Sequence, residues 1–141
     1  MTPNEIDLVQ ASFAKVAPIS AAAAELFYGR LFDIAPEVRP LFTTPLDEQG
    51  RKLMMTLAVV VNGLRNLGDI LPTASALAVR HVGYGVKAEH YAPVGEALIW
   101  TLEQGLGDAF TEEVRQAWLS AYTALSGAML AAAYPKIQAA E

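Results

Sequence analysis

Apolar residues recur at three- and four-residue steps along almost the whole of this chain, and no stretch alternates with the period of two that a half-buried strand requires. That spacing confines the fold to helices packed on helices. Eight prolines and a few capping residues cut the pattern into pieces. Thr2, Pro3 and Glu5 open the first piece, with threonine as N-cap, proline at the first helical position and glutamate completing a capping box. Ile6, Val9, Phe13 and Val16 then share one face until Pro18 stops the run. Ser20 reads as the cap of a second helix, in which alanines lead to Leu26, Phe27, Tyr28, Leu31 and Phe32 before Pro36 halts it.

Residues 36–42 are too short and proline-rich for a long element, so a single helical turn is expected there, leaving Phe42 pointing inward. A long helix starts near Glu48, carries Gln49, Leu53, Leu57, Val60, Val61 and Leu64 on one face, and frays at Gly68. Pro72 suits the first turn of the next, which holds Leu77 and His81 four residues apart and ends at Gly83 and Gly85. Another starts around Pro93 and closes at Gly107. The last is capped by Thr111, with Glu112 and Glu113 at the positive end of its dipole and Val114, Trp118, Tyr122, Leu125 and Met129 in helical spacing behind them. No internal repeat or linker is visible. The expectation is an all-α single domain over residues 1–141, with six or seven helices of unequal length in irregular orthogonal packing rather than a four-helix bundle.

Composition narrows the chemistry. The absence of cysteine removes thiolate catalysis, iron–sulfur clusters, cysteine-ligated zinc and disulfide frameworks together. With ten Lys and Arg against fifteen Asp and Glu, the net charge is −5 and no basic cluster stands out, so nucleic acid and anionic membranes are poor partners. The N-terminus shows neither a basic segment nor an apolar core, which predicts no signal or transit peptide and a cytoplasmic location. The uncharged run at 53–64 is broken by Thr56, Asn62 and Gly63, short of the ~20 apolar residues of a membrane span. At 53% hydrophobic residues, the interior has material to wrap something besides itself.

His81 is the residue with most chemistry to offer. A neutral imidazole on an apolar helical face is a good transition-metal ligand, although such a histidine is more often a hydrogen-bonded core residue. His90 follows the glycine pair beside a charged residue and reads as a surface or capping histidine. Tyr28 and Tyr91 have the ordinary alternative of a core tyrosine bonded to a backbone carbonyl, and Gln49 that of a solvent-facing residue at a helix start.

Three segments together resemble the globins, and within them the single-domain bacterial haemoglobins and the globin half of flavohaemoglobins. They are Leu26, Phe27 and Tyr28 with the run 36–42; Ala78, Val79, Arg80 and His81 followed by Glu89, His90 and Tyr91; and Ala117 and Trp118 with Ala121 and Tyr122. The resemblance runs from residue 6 to about residue 134 in the expected order. It implies the globin fold, three helices over three around haem b, with His81 as the proximal iron ligand and Phe42 packed on the porphyrin. Tyr28 and Gln49 would line the distal face, Leu53 would narrow the pocket, and Lys52 would reach a haem propionate or water. Tyr91 matches a tyrosine in the hydrogen-bond network around the proximal histidine. That network also includes a glutamate late in the last helix, where this chain has Ala133 with Ala131 and Ala132 beside it; the missing carboxylate favours reversible binding over peroxide chemistry.

The function so implied is reversible dioxygen binding, with nitric oxide and carbon monoxide as further diatomic ligands. Tyr28 offers an O–H and Gln49 an amide N–H₂, both suited to an anionic oxygen in a pocket that excludes water. Oxidation of nitric oxide to nitrate would need electrons, and no flavin or nicotinamide module fits in 141 residues, so a separate reductase is expected. A gas sensor acting on a partner in trans, and a haem-free helical protein holding an apolar ligand, are the alternatives.

Overall fold

The computed structural model describes residues 2–42, 45–83 and 90–133, and only the backbone at 67, 71, 73, 81–83 and 131–133. Among the described residues six α-helices follow one another: α1 (Pro3–Val16), α2 (Ser20–Ile34), α3 (Leu46–Asn62), α4 (Leu67–Gly83), α5 (Tyr91–Leu106) and α6 (Glu112–Ala133). Short 3₁₀ turns at Ala17–Ile19, Pro36–Leu41, Leu64–Asn66 and Gly107–Ala109 join them, and there is no strand among the described residues.

Local chemistry sets several boundaries. The Thr2 hydroxyl accepts from the Glu5 amide at 3.1 Å while the Glu5 carboxylate accepts from the Thr2 amide at 2.9 Å, so the capping box of α1 is complete. Gly107, at φ +55°, ends α5 in the left-handed region where a Cβ is costly. The Thr111 hydroxyl accepts from the Val114 amide at 3.2 Å and caps α6.

Other boundaries depart from the sequence expectation for physical reasons. Ser20 is not a cap: its backbone is already helical, because the 3₁₀ turn before it feeds directly into α2, and Ile19 takes the cap position without a side-chain bond. Residues Pro36–Leu41 form a longer 3₁₀ segment than one turn, with Phe42 at its end. Helix α3 begins at Leu46 and stops at Asn62 instead of reaching Gly68. Gly63 takes the turn, its amide shared between the Val59 and Val60 carbonyls, and a Cβ there would meet the Ile70 side chain at 2.7 Å. Pro72 lies inside α4, since the 3₁₀ turn Leu64–Asn66 starts that helix ahead of the proline. Helix α5 begins at Tyr91, which leaves Pro93 in its first turn.

Helix α6 packs on α1 and α4, and α2 packs on α3 and α5. The main core joins Val9, Phe13 and Val16 of α1 to Phe27 and Leu31 of α2, Leu98 and Leu102 of α5 and Trp118 of α6. The Trp118 Nε1–H donates to the Ser12 hydroxyl at 2.8 Å, and Ser12 in turn donates to the Leu8 carbonyl at 2.7 Å. A second cluster, Ala74 and Ala78 with Met129, ties α4 to α6, with Leu77, Tyr91 and Leu125 packed around it. Residues 117–135 form a longer charge-free run than 53–64, yet no described helix is long and apolar enough to cross a membrane.

Candidate ligand pocket

Tyr28 sits in α2 four residues after Ala24 and is 4% exposed. Its ring meets Phe27 and Phe42 edge-on, at centroid distances of 5.1 and 5.3 Å, and stacks on Phe32 at 6.0 Å. Phe32 and Phe42 are themselves edge-on at 5.5 Å, and the Arg39 guanidinium lies 4.9 Å above the Phe32 ring. The aromatic cluster therefore has a charged cap outside and a single phenol hydroxyl within.

That hydroxyl points at the first turns of α3. It donates to the Gln49 main-chain carbonyl at 3.5 Å, a long contact that leaves most of its bonding capacity for another acceptor. Burial pushes the Tyr28 pKa up to about 12, and the neighbouring Gln49 side chain partly offsets the shift. Tyr28 is thus a neutral O–H donor across the physiological range. Gln49 is half-buried, as are Phe42 and Leu53, while Lys52 is exposed. Leu53 also borders an apolar void of about 20 Å³ shared with Phe27, Leu57, Leu98 and Trp118. With no polar wall to bind it, water is disfavoured there.

The structure brings Tyr28, Phe42 and Gln49 together and sets Leu53 one turn beyond Gln49. His81 falls in the last turn of α4, and its side chain lies outside the described residues, as do those of Ala131, Ala132 and Ala133. No group of three or more metal-ligating side chains occurs among the described residues. Tyr91 is half-buried at the first position of α5 and packs against the Ala74, Ala78 and Met129 cluster. His90 corrects the expectation of a surface or capping residue. It stands at the N-cap position of α5, makes no side-chain cap bond, and is 8% exposed.

Tyr122, which the sequence marks only by its helical spacing and its place in the resemblance of the last helix, fastens α5 to α6. Its hydroxyl donates to the Tyr91 main-chain carbonyl. Its ring lies flush on Gly95, where a Cβ would come within 2.6 Å of a ring carbon. Burial first, and the Tyr91 hydroxyl second, push its pKa upward. A buried glycine inside an apolar helix was the available signal that a large side chain crosses there.

The Globin family model matches residues 25–129 of the chain. This chain belongs to the globin family. Among curated relatives, this globin is 32% identical over 133 residues to a flavohemoprotein of Bordetella parapertussis, with 92% of the chain and 33% of the relative covered. It is 28% identical over 125 residues to a flavohemoprotein of Vibrio cholerae, covering 86% of the chain and 32% of the relative. The chain thus spans about one third of the length of the curated relatives it matches. Among solved structures, a bacterial globin from Campylobacter jejuni superposes with a TM-score of 0.83 at 24% identity, covering 97% of this chain and 99% of that one. An engineered carbene transferase from a Rhodothermus marinus protein assigned as a nitric oxide dioxygenase superposes with a TM-score of 0.84 at 28% identity, covering 99% and 97%. Both support the all-α globin fold.

Proposed function

We propose that this globin, as one domain over residues 1–141, holds haem b through His81 and binds dioxygen reversibly, with nitric oxide and carbon monoxide as competing ligands. The observation that carries the reading is the Tyr28 hydroxyl, buried in an aromatic cluster, kept protonated, and left with one long contact to Gln49. An O–H in that condition fits a pocket that receives an electron-rich diatomic group. Haem, held by His81, would supply an iron that binds a diatomic gas.

The chain's residues divide the remaining work. Phe42 offers a half-buried ring beside Tyr28 for the flat face of the macrocycle, and Leu53 offers an aliphatic wall. Tyr28 and Gln49 supply donors to an oxygen atom that gathers negative charge, and the apolar cluster keeps out competing water. The exposed Lys52 supplies a cation for the carboxylates at the edge of the group. Tyr91 steadies the side of the pocket where α4 and α5 approach α6.

The same arrangement serves oxidation of nitric oxide to nitrate, with electrons from a separate reductase in the cytoplasm. The similarity to the Rhodothermus marinus protein assigned as a nitric oxide dioxygenase supports that second activity. Absorption spectra of the purified protein in ferric, ferrous and carbonyl forms test the binding reading. A Soret band that shifts with carbon monoxide is expected, and its absence after haem is supplied overturns the proposal. Mixing the oxygenated protein with nitric oxide then separates the two activities: stoichiometric nitrate with a competent reductase present supports the oxidation, and loss of oxygen without nitrate refutes it.

A further inference from the structure

Helices α2 and α3 cross on two of the smallest side chains available, Ala24 and Gly50, both buried. A methyl group built at Gly50 would lie 2.8 Å from the Ala24 Cβ. Ordinary carbon–carbon contact lies near 3.5–4.0 Å. Neither partner has a torsion that could swing it aside, so a larger side chain at either place must push the two backbones apart by roughly 1 Å.

The crossing lies beside the ligand pocket. Tyr28 is one turn after Ala24 on α2, and Gln49 is the residue before Gly50 on α3. The Tyr28 hydroxyl reaches Gln49 at 3.5 Å, already at the outer limit of a hydrogen bond, so a separation of the helices of even a few tenths of an ångström removes the contact.

We propose that Gly50 and Ala24 are positioning residues that set how far the Tyr28 hydroxyl reaches across the pocket, and thereby how tightly Tyr28 and Gln49 together hold a bound gas. The proposal rests on the reading of Tyr28 as a gas-facing donor. Gly50 acts through the spacing of the helices and touches no ligand. The summed size of the two facing side chains is what the pocket senses, so an exchange that conserves the sum conserves the grip.

The test compares Gly50→Ala with the exchange Gly50→Ala/Ala24→Gly in the haem-loaded protein, reading the oxygen dissociation rate by stopped flow. Gly50→Ala is expected to speed release by at least about fivefold, because the parted helices carry the Tyr28 O–H away from a gas held against α3, and the exchange to return it to within about twofold of the parent. In a Tyr28→Phe background, Gly50→Ala should add less than about twofold, since its effect passes through the hydroxyl. A generally loosened fold would not show that dependence.

The haem-free protein, labelled with [¹³Cζ]tyrosine, gives a second reading. The Tyr28 resonance, assigned by its loss in Tyr28→Phe, should move in Gly50→Ala and return in the exchange. If Gly50→Ala does not take up haem, Ala24→Gly reads the same spacing in the opposite sense and should slow release at least about twofold. Unchanged or faster release there overturns the proposal. So does an unchanged rate in a folded Gly50→Ala, an exchange that fails to restore the rate, or a stationary Tyr28 resonance. Faster release in Tyr28→Phe with no effect of Gly50→Ala leaves the gas-facing reading standing and removes the positioning role. An unchanged rate in Tyr28→Phe itself removes both.

Discussion

Tyr122 of α6 donates its hydroxyl to the main-chain carbonyl of Tyr91, so the first residue of α5 is fastened to the last helix by a side chain rather than by a cap of its own. Tyr122→Phe keeps the ring on Gly95 and removes the hydroxyl with its bond to Tyr91. A destabilisation of about 1 kcal/mol is expected, read from the urea midpoint of the haem-free protein. Gly95→Ala should cost more, about 1–3 kcal/mol, because its methyl would overlap the Tyr122 ring. The order of the two variants is the test, and a reversal would mean that the ring contact is not what holds α5.

Tyr28→Phe in the haem-loaded protein should speed oxygen dissociation by about tenfold or more, the effect of losing one hydrogen bond to a charge-bearing acceptor. An off-rate equal to the parent's would remove Tyr28 from ligand control.

The pH dependence of stability follows from the same residue. Tyr28 ionises near 10 in the unfolded chain and near 12 in the folded one, so the unfolded state releases its proton first as pH rises. The stabilisation is therefore complete below pH 10 and is lost as the pH climbs through about 12. Tyr122, also raised by burial, acts in the same direction. Urea midpoints measured from pH 9 to 12 should fall in the parent and fall less steeply in Tyr28→Phe; equal slopes would contradict the burial assigned to this phenol.

Of the two histidines, only His81 is assigned to haem. His81→Ala should abolish the Soret band of the reconstituted protein, whereas His90→Ala should retain it and lower stability by about 1–3 kcal/mol as a buried polar residue is lost. A pigment unaffected by the first change and lost with the second would reverse the assignment.

Ser12→Ala removes the acceptor of the Trp118 indole N–H and leaves that donor buried without a bond. The expected cost is about 1–3 kcal/mol, larger than for an exposed serine, and thermal unfolding of the haem-free protein measures it. A change within experimental scatter would show that the indole finds another partner.

Features controlled by neighbouring residues in the chain were legible from the sequence. Thr2 and Glu5 close the α1 cap because both bonds span three positions, Gly107 ends α5 through its own φ, and Thr111 caps α6. The buried faces of α1 and α6 follow from simple periodicity. Features made by helices meeting were not. Pro72 looks like a helix start until Leu64–Asn66 is seen to feed α4 from upstream. His90, beside a charged residue, looks exposed, yet the packed helices leave it 8% exposed. The grouping of Tyr28, Phe42 and Gln49 was suggested by family resemblance, whereas the Ala24–Gly50 crossing beside it depends on a distance between two helices that no local pattern encodes.

Pro72 has no amide proton, so the ladder of α4 lacks the rung that would join it to residue 68. The turn upstream of it is secured by one fewer tie than the turn that bears His81. Strain arriving from the α3 side can be absorbed at that gap, leaving the downstream half of the helix to keep its register against Met129 and Leu125. Amide exchange should accordingly be faster at 67–71 than at 74–80, dividing one helix into a yielding end and a steady one.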